Sequence, residues 1–69
     1  MRKYHVRYEL SNCCVARGHR SFRAALQDLR SCRAAAAKGG DSQGIHLEAW
    51  DGNARMQLTD AEWAATEGQ

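Results

Sequence analysis

The chain has 69 residues, of which ten are Lys or Arg and eight are Asp or Glu, for a formal net charge of +2. That length makes one small domain, near the lower limit at which a single core folds unaided. No apolar run approaches the ~20 residues that span a bilayer, and the N-terminal bases lack the apolar stretch of a secretory signal. The three cysteines, an odd number without an export signal, are expected as free thiols in a reducing cytoplasm.

Residues 3–10 alternate: Tyr4, Val6, Tyr8 and Leu10 on one face, Lys3, His5, Arg7 and Glu9 on the other. Period two with aromatic and β-branched residues predicts a half-buried strand. Ser11 and Asn12 are turn residues, and 13–20 reads as the returning strand of an antiparallel hairpin, with Gly18 marking a bulge or its end. Residues 21–38 form a helix. Ser21 caps it, Gly39 and Gly40 end it, and Phe22, Ala25, Leu26, Leu29, Cys32 and Ala36 line one apolar stripe. Arg23, Gln27, Arg30, Ala34 and Lys38 lie opposite, and Asp28 has no base three or four residues away. Arg33 falls inside the apolar arc, where it must snorkel outward or meet an acid from elsewhere.

Residues 44–50 alternate again, Asp51, Gly52 and Asn53 make a turn, and 54–59 form the fourth strand. Thr59 and Glu62 match a capping box, so a helical turn over 60–66 carries Trp63. The order strand, strand, helix, strand, strand predicts a single α+β domain over 1–69. Its four-stranded antiparallel sheet has the helix on one face and a short C-terminal helical turn. Tyr4, Val6, Tyr8, Ile45, Leu47, Met56 and Leu58 are the expected sheet side of the core. The other face stays wet and carries Lys3, His5, Arg7, His46, Glu48, Trp50, Arg55 and Gln57.

Charge is unevenly divided along the chain. Residues 1–38 hold nine of the ten bases and two acids, Glu9 and Asp28, for +7; residues 39–69 hold Arg55 and six acids, for −5. A field polarised in this way favours docking by one end.

Catalytic chemistry finds little support. Cys13 and Cys14 are adjacent, so on a strand they point to opposite faces, and with Cys32 and His19 they make a poor zinc set. No local signature joins a Cys, a His and an acid as a nucleophile. The three His, 5, 19 and 46, fall on solvent positions. Gly39 and Gly40 follow a helix rather than precede one, which is wrong for a phosphate loop. Neither a metal nor a cofactor is expected.

The better lead is the basic surface formed by Arg17, Arg20, Arg23, Arg30 and Lys38, with Lys3 and Arg7 on the sheet, which suits phosphates or an acidic protein surface. Trp50 is the one large apolar side chain on the open sheet face, a favoured kind of interface anchor unless Trp63 covers it.

The layout, the size and three segments (Tyr4 to Tyr8, Ser21 to Leu26, Ile45 to Trp50) resemble small phage-encoded anti-CRISPR proteins, closest to those that inhibit type I effector complexes. That resemblance spans nearly the whole chain and implies a stoichiometric, non-enzymatic inhibitor that blocks target DNA binding or nuclease recruitment in the cytoplasm of a host bacterium. DNA-mimicking inhibitors are strongly acidic, whereas this chain is net basic. Partner contact is therefore expected from Arg7, Arg17, Arg20, Arg23, Arg30 and Trp50 of a monomer or weak dimer bound to a host protein or ribonucleoprotein. The alternative is a small regulator that sets its basic helix face directly on nucleic-acid phosphates.

Overall fold

The computed structural model describes residues 1–67. Its elements are β1 (Arg2–Glu9), β2 (Cys14–His19), α1 (Phe22–Ala37), β3 (Gln43–Asp51), β4 (Ala54–Met56) and α2 (Asp60–Glu67). The strands form one antiparallel sheet in the order β2-β1-β3-β4. Each hairpin therefore contributes one inner strand, and β1 from the basic half of the chain lies against β3 from the acidic half.

The alternation of β1 sends Tyr4 and Val6 into a core completed by Ala25 and Leu29 of α1, Leu47 and Ala49 of β3, and Leu58. Tyr8, Phe22, Leu26, Cys32 and Ile45 pack against it partly buried, and the Tyr4 and Phe22 rings meet edge to face at 5.4 Å. Helix α1 begins where the Ser21 side chain accepts from the Ala24 N–H at 3.1 Å. It ends in a Schellman motif: Gly39 N–H donates to Ala36 O and Gly40 N–H to Ala35 O, with Gly39 at φ +107°. Replacing Gly39 by Ala is expected to lower stability by about 1–2 kcal/mol through the backbone alone, because a Cβ there would meet nothing within 4 Å. Urea unfolding checks this as a lower midpoint with an unchanged slope.

The β3–β4 turn has two central residues, with positive φ at Gly52 (+59°) and not at Asn53, the pattern of a type II′ hairpin. Strand β4 stops at Met56, three residues short of the expected 54–59. Met56 also corrects an expectation of burial. It lies on the core face of an edge strand and remains 40% exposed. A straight continuation would leave Leu58 in the same plight. The chain instead leaves the sheet, Leu58 joins the core, and Thr59 opens α2 with the expected capping box, its N–H donating to Glu62 and its hydroxyl accepting from Glu62 N–H.

Helix α2 is tied to the helix side of the sheet. Glu62 accepts from Tyr4 OH at 2.6 Å and from Arg2 at 2.9 Å. Arg33, expected to snorkel or find an acid, instead donates to the Thr66 carbonyl at 2.7 Å, a cation at the negative end of a helix. No helix among the described residues is long and apolar enough to cross a membrane.

Candidate functional site

The fold sorts the cations into those that meet an acid and those that do not. The linear charge division is partly cancelled where the two halves meet, because β1 and β3 are neighbours and α2 returns to β1. Arg2 of the basic half pairs with Glu62 of the acidic half, and Arg7 with Glu48. Arg17 is bound to Asp28 by two guanidinium nitrogens, and its guanidinium also lies 6.0 Å from the Tyr8 ring. Among the described residues, Arg20, Arg23, Arg30 and Lys38 are exposed with no carboxylate in ion-pair reach. Arg20 stands just before the Ser21 cap, Arg23 and Arg30 lie on the exposed side of α1, and Lys38 is its C-cap, about 22 Å from Arg23 by helix rise. No acid lies in the first turn of α1, so the positive end of its dipole adds to Arg20 and Arg23.

Residues 17, 19, 28 and 32 form a cluster beside that stripe. Register places Val15, Arg17 and His19 of β2 opposite Tyr8, Val6 and Tyr4, hence on the helix side of the sheet. His19, expected at a solvent position, is half-buried with Nε2 at 2.8 Å from Asp28 Oδ2, while Cys32 Sγ lies 3.6 Å from Asp28 Oδ1. A Cys, a His and an acid thus do come together, but in the wrong order for a nucleophile, since the carboxylate stands between the thiol and the imidazole. Burial pushes the Cys32 thiol up and the Asp28 charge adds to this, against the opposing pull of Arg17. Burial also pushes Asp28 up, but the bonds from His19 and Arg17 outweigh it and hold its carboxyl below the usual range. These contacts favour a neutral thiol and a structural carboxylate. Cys13 and Cys14 are exposed at the β1–β2 loop, and no group of three or more His, Cys, Asp or Glu among the described residues can hold a metal ion.

The second constellation covers the opposite, open face of the sheet. Glu48 lies on that face yet is 7% exposed, because its neighbours close over it. Trp50 Nε1 donates to Oε1 at 3.1 Å and His46 Nε2 stands 2.8 Å from Oε2. Arg7 and Arg55 approach the same carboxylate at 3.6 and 3.4 Å. Burial pushes the Glu48 carboxyl up, but the His46 and Trp50 bonds and the Arg55 and Arg7 charges prevail, leaving it below the ordinary value.

A bulge shapes one end of this face. Between the pairs Arg7–His46 and Glu9–Gln43, Gly44 and Ile45 of β3 stand opposite Tyr8 alone, with Gly44 at φ +65°. It presents the Gly44 carbonyl to His46 Nδ1 at 2.7 Å, so both ring nitrogens stand at hydrogen-bond distance from an oxygen within the fold. Trp50 is covered by His5, not by Trp63: the His5 and Trp50 rings stack at 5.6 Å with 19° between planes, and Trp63 lies 46% exposed. Tall side chains of β1 and β3 stand beside the small Cys14, Ala16 and Gly18 of β2. An open pocket of about 550 Å³ has Arg7, Glu9, Cys14, Glu48, Trp50 and Arg55 in its lining. No family model, curated protein or solved structure matches this chain.

The six residues expected to meet a partner are therefore divided between faces. Arg20, Arg23 and Arg30 share the stripe on α1, Arg17 is engaged with Asp28 beside it, and Arg7 and Trp50 belong to the Glu48 cluster across the sheet. His5, His46 and Arg55 complete that cluster. Their alternation put them on the open face in the sequence, but nothing in it joined His46 and Arg55 to Glu48 or stacked His5 on Trp50.

Proposed function

We propose that the protein is a non-enzymatic binder that docks by the solvent face of α1 on a negatively charged surface. In keeping with the resemblance in its sequence, that surface belongs to a type I CRISPR effector complex, and the protein acts there as a phage-encoded inhibitor. One observation carries the reading: Arg20, Arg23, Arg30 and Lys38 lie exposed along α1 without an acid, and of the other bases only Lys3, on the sheet, is likewise exposed and unpaired among the described residues, whereas Arg2, Arg7, Arg17 and Arg55 meet carboxylates within the fold and Arg33 meets the Thr66 carbonyl. Unpaired cations at helical spacing raise the encounter rate with an anionic partner and supply charge-assisted hydrogen bonds once docked. The same stripe also suits phosphates directly, which keeps a nucleic-acid-binding regulator as the second reading.

The test compares Arg20→Glu/Arg23→Glu with Asp41→Lys/Glu67→Lys in pull-down and calorimetry against purified type I effector complexes. The arginine pair is expected to weaken binding roughly tenfold or more at ~0.1 M salt, with unchanged circular dichroism, and the acidic pair to do little. Full affinity in the arginine variant sinks this docking face. Tight, steeply salt-dependent binding to naked DNA or RNA, with a slope reduced by each lost arginine, favours the regulator instead.

A further inference from the structure

The open face of the sheet has no part in that reading, and its chemistry differs from that of α1. We infer that the pocket over Glu48 is a second binding site, for a nucleotide: the base lies against Trp50 and the phosphate is held by Arg7 and Arg55.

Charge supports the anionic part of this ligand. One buried carboxylate faces two permanent cations and an imidazole, so the cluster keeps at least one positive charge after Glu48 is counted. Glu48 reaches each guanidinium by one nitrogen, Nη1 of Arg7 and Nη2 of Arg55. The Arg7 side chain is 40% and that of Arg55 66% exposed, and Arg carries five N–H donors in a fixed fork. Free donors therefore remain for a phosphate. Glu9 is the other acid lining the pocket, exposed at its far end beside Cys14. It biases an anion toward the Arg55 side.

Geometry supports the flat part. The Trp50 indole is held by its bond to Glu48 and its stack on His5, so a rigid aromatic surface is offered without ordering a mobile side chain. Arg55 is the direct cross-strand partner of Trp50, which places a cation beside the ring at the separation of neighbouring strands. A volume of about 550 Å³ is ample for a nucleotide, within the roughly 300–1,000 Å³ of small-molecule sites. Stacking on one aromatic with an adjacent cation is the combination that single-stranded nucleic-acid sites also use. A free nucleotide and a nucleotide within a strand thus share this chemistry.

The experiment uses Trp63→Phe protein, in which Trp50 is the sole indole of the two in the chain. Fluorescence is titrated with AMP, UMP, adenosine, inorganic phosphate and a single strand of about ten nucleotides. Saturable quenching by the mononucleotides is expected, weaker by roughly tenfold with adenosine or phosphate alone. Arg55→Gln should weaken mononucleotide binding about fivefold or more. Trp50→Leu, followed by calorimetry, should weaken it about fivefold to a hundredfold. Arg55 is two-thirds exposed, so its variant keeps the test decisive if Trp50→Leu fails to fold.

Repeating the series in Arg20→Glu/Arg23→Glu separates the two faces. Mononucleotide binding unaffected by those reversals supports the sheet site. An oligonucleotide that binds this background more tightly than AMP identifies a strand as the ligand, and equal affinity identifies a free nucleotide. No saturable mononucleotide binding, or binding indifferent to Arg55→Gln, overturns the inference. Oligonucleotide binding lost with the helix reversals but untouched at Arg55 also overturns it, and assigns the nucleic acid to α1.

Discussion

Replacing Leu29 by Ala is expected to lower the unfolding free energy by about 3 kcal/mol, within the range of roughly 2–5 found for buried Leu→Ala changes. Leu29 of α1 and Val6 of β1 are the largest side chains with essentially no exposure, and both belong to the core between the helix and the sheet. A small domain has few such residues to share the loss. At roughly 0.05–0.15 kcal/mol per residue, a chain of this size holds only about 3–10 kcal/mol in total. Thermal unfolding by circular dichroism should show a midpoint at least about 12 °C lower, since each kcal/mol shifts a domain of this size by roughly 4–8 °C. Leu26→Ala, at a half-buried position, should cost less. A Leu29→Ala loss below about 1 kcal/mol would mean that α1 does not pack on the sheet through this residue.

The legible parts of the fold are those where local chemistry and burial agree. In β1 every second residue is apolar and buried or half-buried, Ser21 and Gly39 bracket α1 as caps, and the Thr59–Glu62 box forms as spaced. What was not legible depends on partners distant in sequence. Strand β2 alternates only small residues against Val15, Arg17 and His19, so hydrophobicity says nothing about its face. Arg17 and His19 turn toward the helix because Asp28 awaits them there, nine to eleven positions away. The charge division by halves is partly cancelled in space, because β1–β3 pairing and α2 docking bring some opposite charges together.

Those pairings give the α1 stripe its contrast. A count of ten bases cannot distinguish Arg17 from Arg20, yet one is neutralised by Asp28 and the other is not. Glu48 is the complementary case. In an alternating strand it reads as a solvent-facing acid, yet it is buried among Arg7 from one neighbouring strand, Arg55 from the other, and His46 and Trp50 of its own. The two faces therefore differ in kind: one presents unpaired charge on a helix, the other an ordered polar cluster around a buried carboxylate.

Glu48→Gln is expected to cost about 2 kcal/mol at neutral pH and progressively less in acid. The amide keeps an acceptor for Trp50 Nε1 but removes the charge that Arg7, Arg55 and His46 share. Exposure of both guanidiniums lets water take over part of that role, so the cost falls below the roughly 3–5 kcal/mol of a fully buried broken pair. The folded-state carboxyl of Glu48 is held below its ordinary value. Its contribution is then fully present above the unfolded carboxylate pKa, near about 4.3, and is lost as pH falls through the lower folded value. Urea midpoints at about pH 7, 5 and 3 should show the gap between parent and variant unchanged across the first interval and narrowing across the second. Asp28 and Glu62 are held down as well, so the variant still loses stability in acid, with a shallower slope than the parent. A gap that stays constant down to about pH 3 would show that Glu48 contributes no ionised carboxylate to the sheet face. That result would also halve the case for the nucleotide pocket, since the same carboxylate holds the indole and both guanidiniums in place.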